Sequence, residues 1–536
     1  MRIALGFANQ ASLAHNNLGF RIAEAILSTR AGIVLERFYL PPSESHLAPG
    51  SLRTVPSRVR LSSVALVLIS ISYEGDAPHV PALLIAGGLP ALARRRAAGH
   101  PLVVVGGAAV MINPESLAAC CDLFLVGEAE ALLPTFLDAW EDVRRAPRAV
   151  QFDRLEILPG ALVPSRREHR LWALGGGLLR SGERLRFEEP GGAPPGRPTP
   201  PPPVETVKWM GVAENPSSAR LPAEAHFQED LLLELDRGCP RRCRFCVATR
   251  IYGPLRRRDP ERLVEHVAGA ARAGERIGLL GLSAGDHRGL EALTADLCRR
   301  GWRLSISSLP ATFARREVAD RLIQSGAATL TIAPETGSER LRRIAGKPMT
   351  DEAILRSVAM LGAAGLRGLR TYFLIGLPFE EEEDLAAIPV LLGEMRRRLP
   401  SRCRLSATVN PFVPKPRTPF QWAPLAPEAY LREAGRRLRR GMPAGVRLRL
   451  KSLREARRHT LLTRADARWG ERLAQAAETR QPLPAILRAA GEQWEDWTAA
   501  VAPAAELPWG YLIDQAEARD LAEEWVRAQR DAGRAG

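Results

Sequence analysis

The stretch Leu231-Leu232-Leu233-Glu234-Leu235-Asp236-Arg237-Gly238-Cys239-Pro240-Arg241-Arg242-Cys243-Arg244-Phe245-Cys246 decides the reading of the chain. A short apolar run, Leu231–Leu235, passes into a Gly-Cys-Pro turn, as a buried parallel strand does on entering a loop. Five similar runs follow: Ile277–Leu282, Leu304–Ser308, Thr329–Ala333, Leu369–Ile375 and Arg404–Val409. Between them, amphipathic patterns predict helices over Pro260–Ala273, Gly289–Arg300, Arg315–Ser325, Ser338–Ala345, Asp351–Ala364 and Glu381–Arg398. This strand–helix alternation predicts a partial β/α barrel, whose working face is made by the loops after the strands. The three cysteines stand on the first of those loops.

Cys239, Cys243 and Cys246 are separated by three and then two residues. Three thiolates on one loop can hold three irons of a cubane 4Fe–4S cluster. No fourth cysteine lies nearby, so the fourth iron would stay open to another ligand. Arg237, Arg241, Arg242 and Arg244 are expected to hold the thiolates deprotonated and to offset cluster charge. Two other readings stay open on spacing alone: a zinc site, which usually wants four protein ligands, and a purely structural trio. Cys120, Cys121, Cys298 and Cys403 read as buried structural thiols.

Cys-x3-Cys-x2-Cys with Phe245 before the last cysteine, on the first loop of a β/α barrel, resembles the radical S-adenosylmethionine (SAM) superfamily. The resemblance implies a 4Fe–4S cluster whose open iron chelates SAM. It also implies reductive cleavage of SAM to methionine and a 5′-deoxyadenosyl radical, fed by an electron donor such as ferredoxin or flavodoxin. Later segments match the superfamily's SAM-contacting strand ends in order. Leu280–Asp286 takes the place of a Gly-Gly-Glu-like motif, departs from it, and offers Ser283 and Asp286. Ile332–Glu339 offers Glu335 as a polar contact to SAM. Tyr372–Glu380, with Gly376 and Pro378, resembles the glycine motif beside the adenine, and Asn410–Pro419 the segment that closes the pocket.

The first 150 residues carry the same βα rhythm. Strands are predicted at Arg2–Phe7, Val64–Ser72, Leu102–Gly106 and Leu123–Gly127, and helices at Gly19–Thr29, Val80–Ala98 and Glu128–Arg145. That is a doubly wound, Rossmann-like sheet, whose ligands lie at the carboxyl ends of its strands. Gly106-Gly107 and Gly127-Glu128 sit at such ends, either to admit a ligand or to turn tightly. Asn17–Phe20, Ser70–Glu74, Phe124–Glu128 and Pro411–Pro424 resemble a radical SAM subgroup with an N-terminal cobalamin-binding-type domain. His15, in Leu13–Gly19, is the nearest candidate for a cobalt ligand, but the Asp-x-His-x-x-Gly pattern lacks its acid and its glycine is displaced. Cobalamin without a protein ligand and a purely scaffolding domain both remain open.

The expected organisation is a Rossmann-like domain at 1–150, an extension with the proline-rich linker Pro190–Pro203 at 151–228, the barrel at 229–425 and a mainly helical region at 426–536. Seven cysteines are too few for a disulfide scaffold. The opening lacks a signal-peptide core and no apolar run is long enough to span a bilayer. These features predict a soluble, cytoplasmic protein with no membrane partner. The net charge of +15 rests almost wholly on arginine, with only four lysines, so it permits an RNA partner without demanding one. Arg432–Arg458 is the densest basic region, yet no aromatic interleaves it to stack bases. The expected activity is C–H functionalisation, methyl transfer included, on an unidentified substrate. Two rivals stand beside it: a non-catalytic Fe–S protein that binds RNA or senses redox state, and a methylthiotransferase-like enzyme, which would need upstream cysteines beyond Cys120 and Cys121.

Overall fold

The computed structural model describes residues 1–42, 47–172, 184–187, 204–212, 218–220 and 230–534; the expected linker Pro190–Pro203 lies outside them. In the N-terminal sheet the strands run, edge to edge, Val34–Tyr39, Arg2–Phe7, Leu66–Ser70, Leu102–Gly106, Leu123–Leu125 and Ala161–Leu162. All are parallel except the last. The second strand in sequence therefore lies outside the first, which puts the topological switch point between Arg2–Phe7 and Leu66–Ser70.

Val34–Tyr39 escapes an apolar-run reading because Glu36 and Arg37 interrupt it. Glu36 is nonetheless buried, accepting hydrogen bonds from Thr54 Oγ1 at 2.7 Å and Ser57 N at 3.1 Å. The sheet also runs on past residue 150, because helix Arg148–Leu155 buries Phe152 and Leu155 beneath it and returns the chain as Ala161–Leu162. The expected helix Val80–Ala98 stops at Ala86, where Gly87 and the left-handed Gly88 turn the chain.

Both faces of this sheet are covered. Leu5, Leu68 and Val104 pack on Leu27, Leu137 and Trp140 of helices Leu18–Thr29 and Ala129–Val143. Val67, Val103 and Val105 belong instead to a core with Leu461, Trp469 and Leu512, so the end of the chain supplies the opposite layer. Trp509, fully buried, packs edge-on against Trp172 at 5.6 Å and donates to Gln421 Oε1 at 3.0 Å, which fixes the late Leu507-Pro508-Trp509 turn as a docking point.

The barrel forms as two parallel arcs. Leu231–Glu234, Arg276–Leu280 and Arg303–Ile306 make one; Thr329–Glu335, Gly368–Ile375, Arg404–Pro411 and Val446–Leu450 make the other. A single bridge from Leu309 to Ile332 joins them, giving a partial barrel. Ser218–Arg220 adds an antiparallel strand beside Leu231–Glu234. The region after residue 425 is mainly helical, as expected, and adds one unexpected strand to the barrel arc. Val446-Arg447-Leu448-Arg449-Leu450 alternates apolar and basic residues because it forms the arc's edge, with Arg447 and Arg449 exposed. Among the described residues no helix is long and apolar enough to cross a membrane.

Candidate active site

The cysteine loop is held at both ends by backbone. Asp236-Arg237 pairs antiparallel with Arg256-Arg257, and Gly238 follows in a left-handed conformation. A Cβ there would stand 2.6 Å from Pro254 O, so only glycine fits the turn into Cys239. Cys246 N donates to Cys243 O at 3.1 Å, and helix Ala248–Tyr252 begins directly after. The left-handed Gly346 packs against the same loop, where a Cβ would stand 2.7 Å from Arg242 O.

Cys239, Cys243 and Cys246 are all free thiols, half-buried on this loop. Burial pushes the Cys243 thiol up to about 12, and burial likewise raises that of Cys246; Lys347 opposes both shifts, while Glu335 and the neighbouring thiols reinforce them. The three sulfurs, Glu335 and Lys347 thus share one electrostatic neighbourhood. Among the described residues no three His, Cys, Asp or Glu side chains stand close enough to share a single metal ion. A cubane, by contrast, spaces its thiolate ligands over separate corners, and a trio of thiols on one loop beside a lysine is a donor set of that kind.

The loop arginines do not serve the thiols as expected. Arg237 meets Glu128, Glu130 and Glu234 at 2.8–2.9 Å, and Arg241 meets Asp286 at 2.7 Å. Arg242 pairs with Asp520, and Arg244 with Glu524 and Asp531 at 3.0 and 2.7 Å. Each guanidinium is neutralised by a carboxylate, so these residues fasten the loop, and the cation beside the sulfurs is Lys347. Three of the acids lie on the last helix, Gln515–Asp531, which therefore straps the cysteine loop from outside.

Glu335 is brought to the cysteines. It ends its strand after a bulge, in a left-handed conformation (φ 72°) that non-glycine residues adopt only under local constraint. Its carboxylate meets Lys347 Nζ at 2.7 Å, and Lys347 also donates to Ala333 O at 2.9 Å. Ser283 and Asp286 are turned to protein partners. Ser283 donates from N and Oγ to the buried Asp236 at 3.2 and 3.1 Å, and Asp286 is held by Arg241. Gly281 leaves the room Asp236 needs, since a Cβ there would stand 2.6 Å from its Oδ1. Phe245 packs on the small core that includes Leu377, Phe412 and Phe420.

Gly376 ends its strand left-handed, and its N–H donates to Glu380 Oε1 at 2.8 Å, so Pro378 sits inside a turn closed by that carboxylate. Tyr430 also donates to Glu380. Burial pushes the Glu380 carboxyl from its ordinary 4.5 up to about 7, against the lowering effect of both hydrogen bonds. A carboxyl that binds its proton more tightly when folded stabilises the fold below pH 4.5, and that contribution is lost as pH rises to 7. Glu380→Gln is therefore expected to flatten the pH dependence of melting temperature over that interval, gaining most relative to the parent above pH 7. Parallel thermal melts across that range check it; identical slopes would refute it.

A cavity of about 430 Å³ opens between the N-terminal sheet and the first barrel loops. Its walls come from the switch point (Leu5, Leu68, Ser70), from Gly106-Gly107 and Gly127-Glu128, and from Asp236, Arg237 and Gly281 across the gap. The strand-end glycines serve as tight turns as well as walls: a Cβ on Gly107 would stand 2.5 Å from Ile71 O, and one on Gly127 2.4 Å from Val207 O. His15 does not line the cavity; its ring packs edge-on against Tyr39 at 5.7 Å. The lining contains neither histidine nor cysteine.

Lys347 and Asp236 were beyond a motif reading, because isolated residues of common types carry no spacing signal; Gly127-Glu128 was marked as a strand end, but not the pairing of Glu128 with Arg237 and Arg256. A buried cluster also joins the three parts of the chain. Lys415 Nζ meets Glu74 Oε1 at 2.7 Å and His459 Nε2 at 2.8 Å, and Thr463 donates to the same carboxylate at 2.8 Å. Cys120 and Cys121 are buried in the core, with Cys120 Sγ donating to Gly470 O at 3.2 Å, so they offer no second cluster loop.

Two family models match the chain: radical SAM proteins, N-terminal, over residues 19–164, and the radical SAM superfamily over residues 233–389. An uncharacterized protein of Methanocaldococcus jannaschii is 26% identical over 364 residues, 68% of this chain and 69% of that one. The ribosomal protein uS12 methylthiotransferase of Salinispora tropica is 31% identical over 182 residues, 31% of this chain and 35% of its own length. Among solved structures, the radical SAM methyltransferase TsrM from Kitasatospora setae, with cobalamin and a 4Fe–4S cluster bound, aligns with a TM-score of 0.47 at 14% identity, covering 76% of this chain and 71% of that one.

Proposed function

The chain belongs to the radical SAM superfamily and is an enzyme of that kind; from that premise we propose that it functionalises a C–H bond of its substrate, with cobalamin-assisted methyl transfer as the reaction. Bound together, a 4Fe–4S cluster and SAM supply reductive cleavage of SAM and a 5′-deoxyadenosyl radical. The protein's part is to bind, orient and exclude water. Cys239, Cys243 and Cys246 hold three corners of the cluster, and Lys347 beside them favours the thiolate forms. Glu335, Gly376 and Pro378 stand at consecutive strand ends on the same barrel face, where SAM would lie. The last helix fastens the loop through Asp520 and Glu524. The electron donor is a small reductant protein such as ferredoxin or flavodoxin.

The observation that carries the cobalamin reading is the cavity at the switch point. It faces the barrel, has a mostly apolar wall, and lies within the 300–1,000 Å³ range of small-molecule sites while leaving room for only part of a large cofactor. With His15 turned away and no histidine in the lining, cobalamin there would have no protein imidazole on cobalt. Titrating the purified protein with hydroxocobalamin is expected to retain about one corrin per chain after desalting, with the spectrum of cobalt not bound to histidine. Retention should be unchanged in His15→Ala. Anaerobic loading with iron, sulfide and reductant should then release 5′-deoxyadenosine from SAM. No corrin retained would remove the methyl-transfer reading, and no cluster formed would remove the radical reading.

A further inference from the structure

A second cavity, of about 440 Å³, lies at the carboxyl ends of the last three barrel strands, where Ile375, Pro411 and Leu450 close its floor with Val409, Leu431 and Leu453. Every charged residue lining it is a cation: Arg432, Arg436, Arg439 and Lys451. The switch-point cavity is the reverse, with Glu128, Glu130, Glu234 and Asp236 against the single cation Arg237. Arg432, Arg436 and Arg439 follow one another at four- and three-residue steps on helix Glu428–Gly441, so they share a helix face. Like charges at these spacings repel weakly, and that repulsion is relieved by an opposing charge. Glu428 and Glu433 supply that for Arg432 and Arg436. Among the described residues Arg439 and Lys451 form no ion pair, and no carboxylate lines the cavity.

We propose that this cavity binds an organic phosphate: the phosphate is gripped by Arg439 and Lys451 at the rim, and the carbon body rests on the apolar floor. Guanidinium and ammonium groups together are the donors that phosphate oxygens take, the first in a planar fork and the second as a point charge. A free organic phosphate suits the site better than the backbone of RNA, because no aromatic side chain lines the cavity to receive a base. No residue of the cysteine loop lines the cavity, and the test below reads binding rather than SAM cleavage, so the two readings can fail separately.

The test is calorimetric titration of the full-length protein, as purified, with phenyl phosphate, inorganic phosphate and phenol, and with a short single-stranded RNA. Phenyl phosphate is expected to bind once per chain and more tightly than either of its halves. Arg439→Gln with Lys451→Gln should weaken it at least about tenfold. Arg447→Gln with Arg449→Gln removes the same charge from the neighbouring exposed strand, outside the cavity, and should leave the affinity unchanged. Equal loss in both double variants would mean diffuse charge attraction and would overturn the site. So would undiminished binding in the Arg439/Lys451 variant, or no phenyl phosphate binding at all. RNA that binds tightly and displaces phenyl phosphate, equally weakened by both pairs, would instead assign the surface to nucleic acid.

Discussion

Cys243→Ala is expected to bring iron per chain to background after anaerobic loading and to abolish 5′-deoxyadenosine release. Losing a residue that merely supports a metal ligand costs ~10–100-fold in affinity or activity. Losing the ligand itself, in a site with only three, should cost more. Cys239→Ala and Cys246→Ala should behave alike, since each thiol would hold its own corner. The comparison that gives the experiment its force is Cys298→Ala. Cys298 lies on helix Leu290–Arg299 and its sulfur approaches Ser325 Oγ at 3.5 Å, away from the loop. That variant should keep both iron and activity. A protein in which all four variants load equally would show that iron binds nonspecifically, and the cysteine-loop reading would fall.

The loop was legible because its information is local. Three cysteines within eight residues announce their chemistry by spacing, and the strand before them is apolar but for Glu234. The sheet order was legible only as a class, since alternating strands and helices fix parallelism but not which edge Val34–Tyr39 joins. What could not be read was pairing over distance. Arg244 meets Glu524, 280 residues away, and a local reading assigns its charge to the nearest sulfurs instead. Lys347 gives the converse case: nothing in its neighbourhood marks it, and it reaches the thiols because the left-handed Glu335 and Gly346 bend the chain back over them. The edge strand Val446–Leu450 was hidden for a third reason. A strand with one face in solvent can carry arginine at every second position, and in sequence that resembles a charged helix.

Breaking the carboxylate that joins the N-terminal sheet to the cysteine loop should have the second largest effect. Glu128 follows the Leu123–Leu125 strand and is 4% exposed. It accepts from Arg256 Nη2 at 2.7 Å, Arg256 Nη1 at 2.9 Å, Arg237 Nη1 at 2.9 Å and Trp209 N at 2.9 Å. Burial alone would raise its proton affinity, yet Arg256 and Arg237 hold the carboxyl below its ordinary range. Glu128, Glu130 and Glu234 stand against Arg237, Arg256 and Arg258, so the buried network is neutral. Glu128→Ala leaves one guanidinium charge uncompensated out of water, at a cost of about 3–5 kcal/mol. Glu128→Gln keeps the shape and one acceptor oxygen but leaves the same charge, so it should recover only part of that. Adding Arg256→Met to Glu128→Gln restores neutrality, and a double-mutant cycle on the denaturant midpoint should show the pair less damaging than the sum of the singles. Because Arg237 precedes Gly238-Cys239, the charge loss should also lower iron loading in Glu128→Ala. Additive singles with normal iron content would mean that the two halves of the molecule are joined by packing alone and that the loop does not depend on the carboxylate.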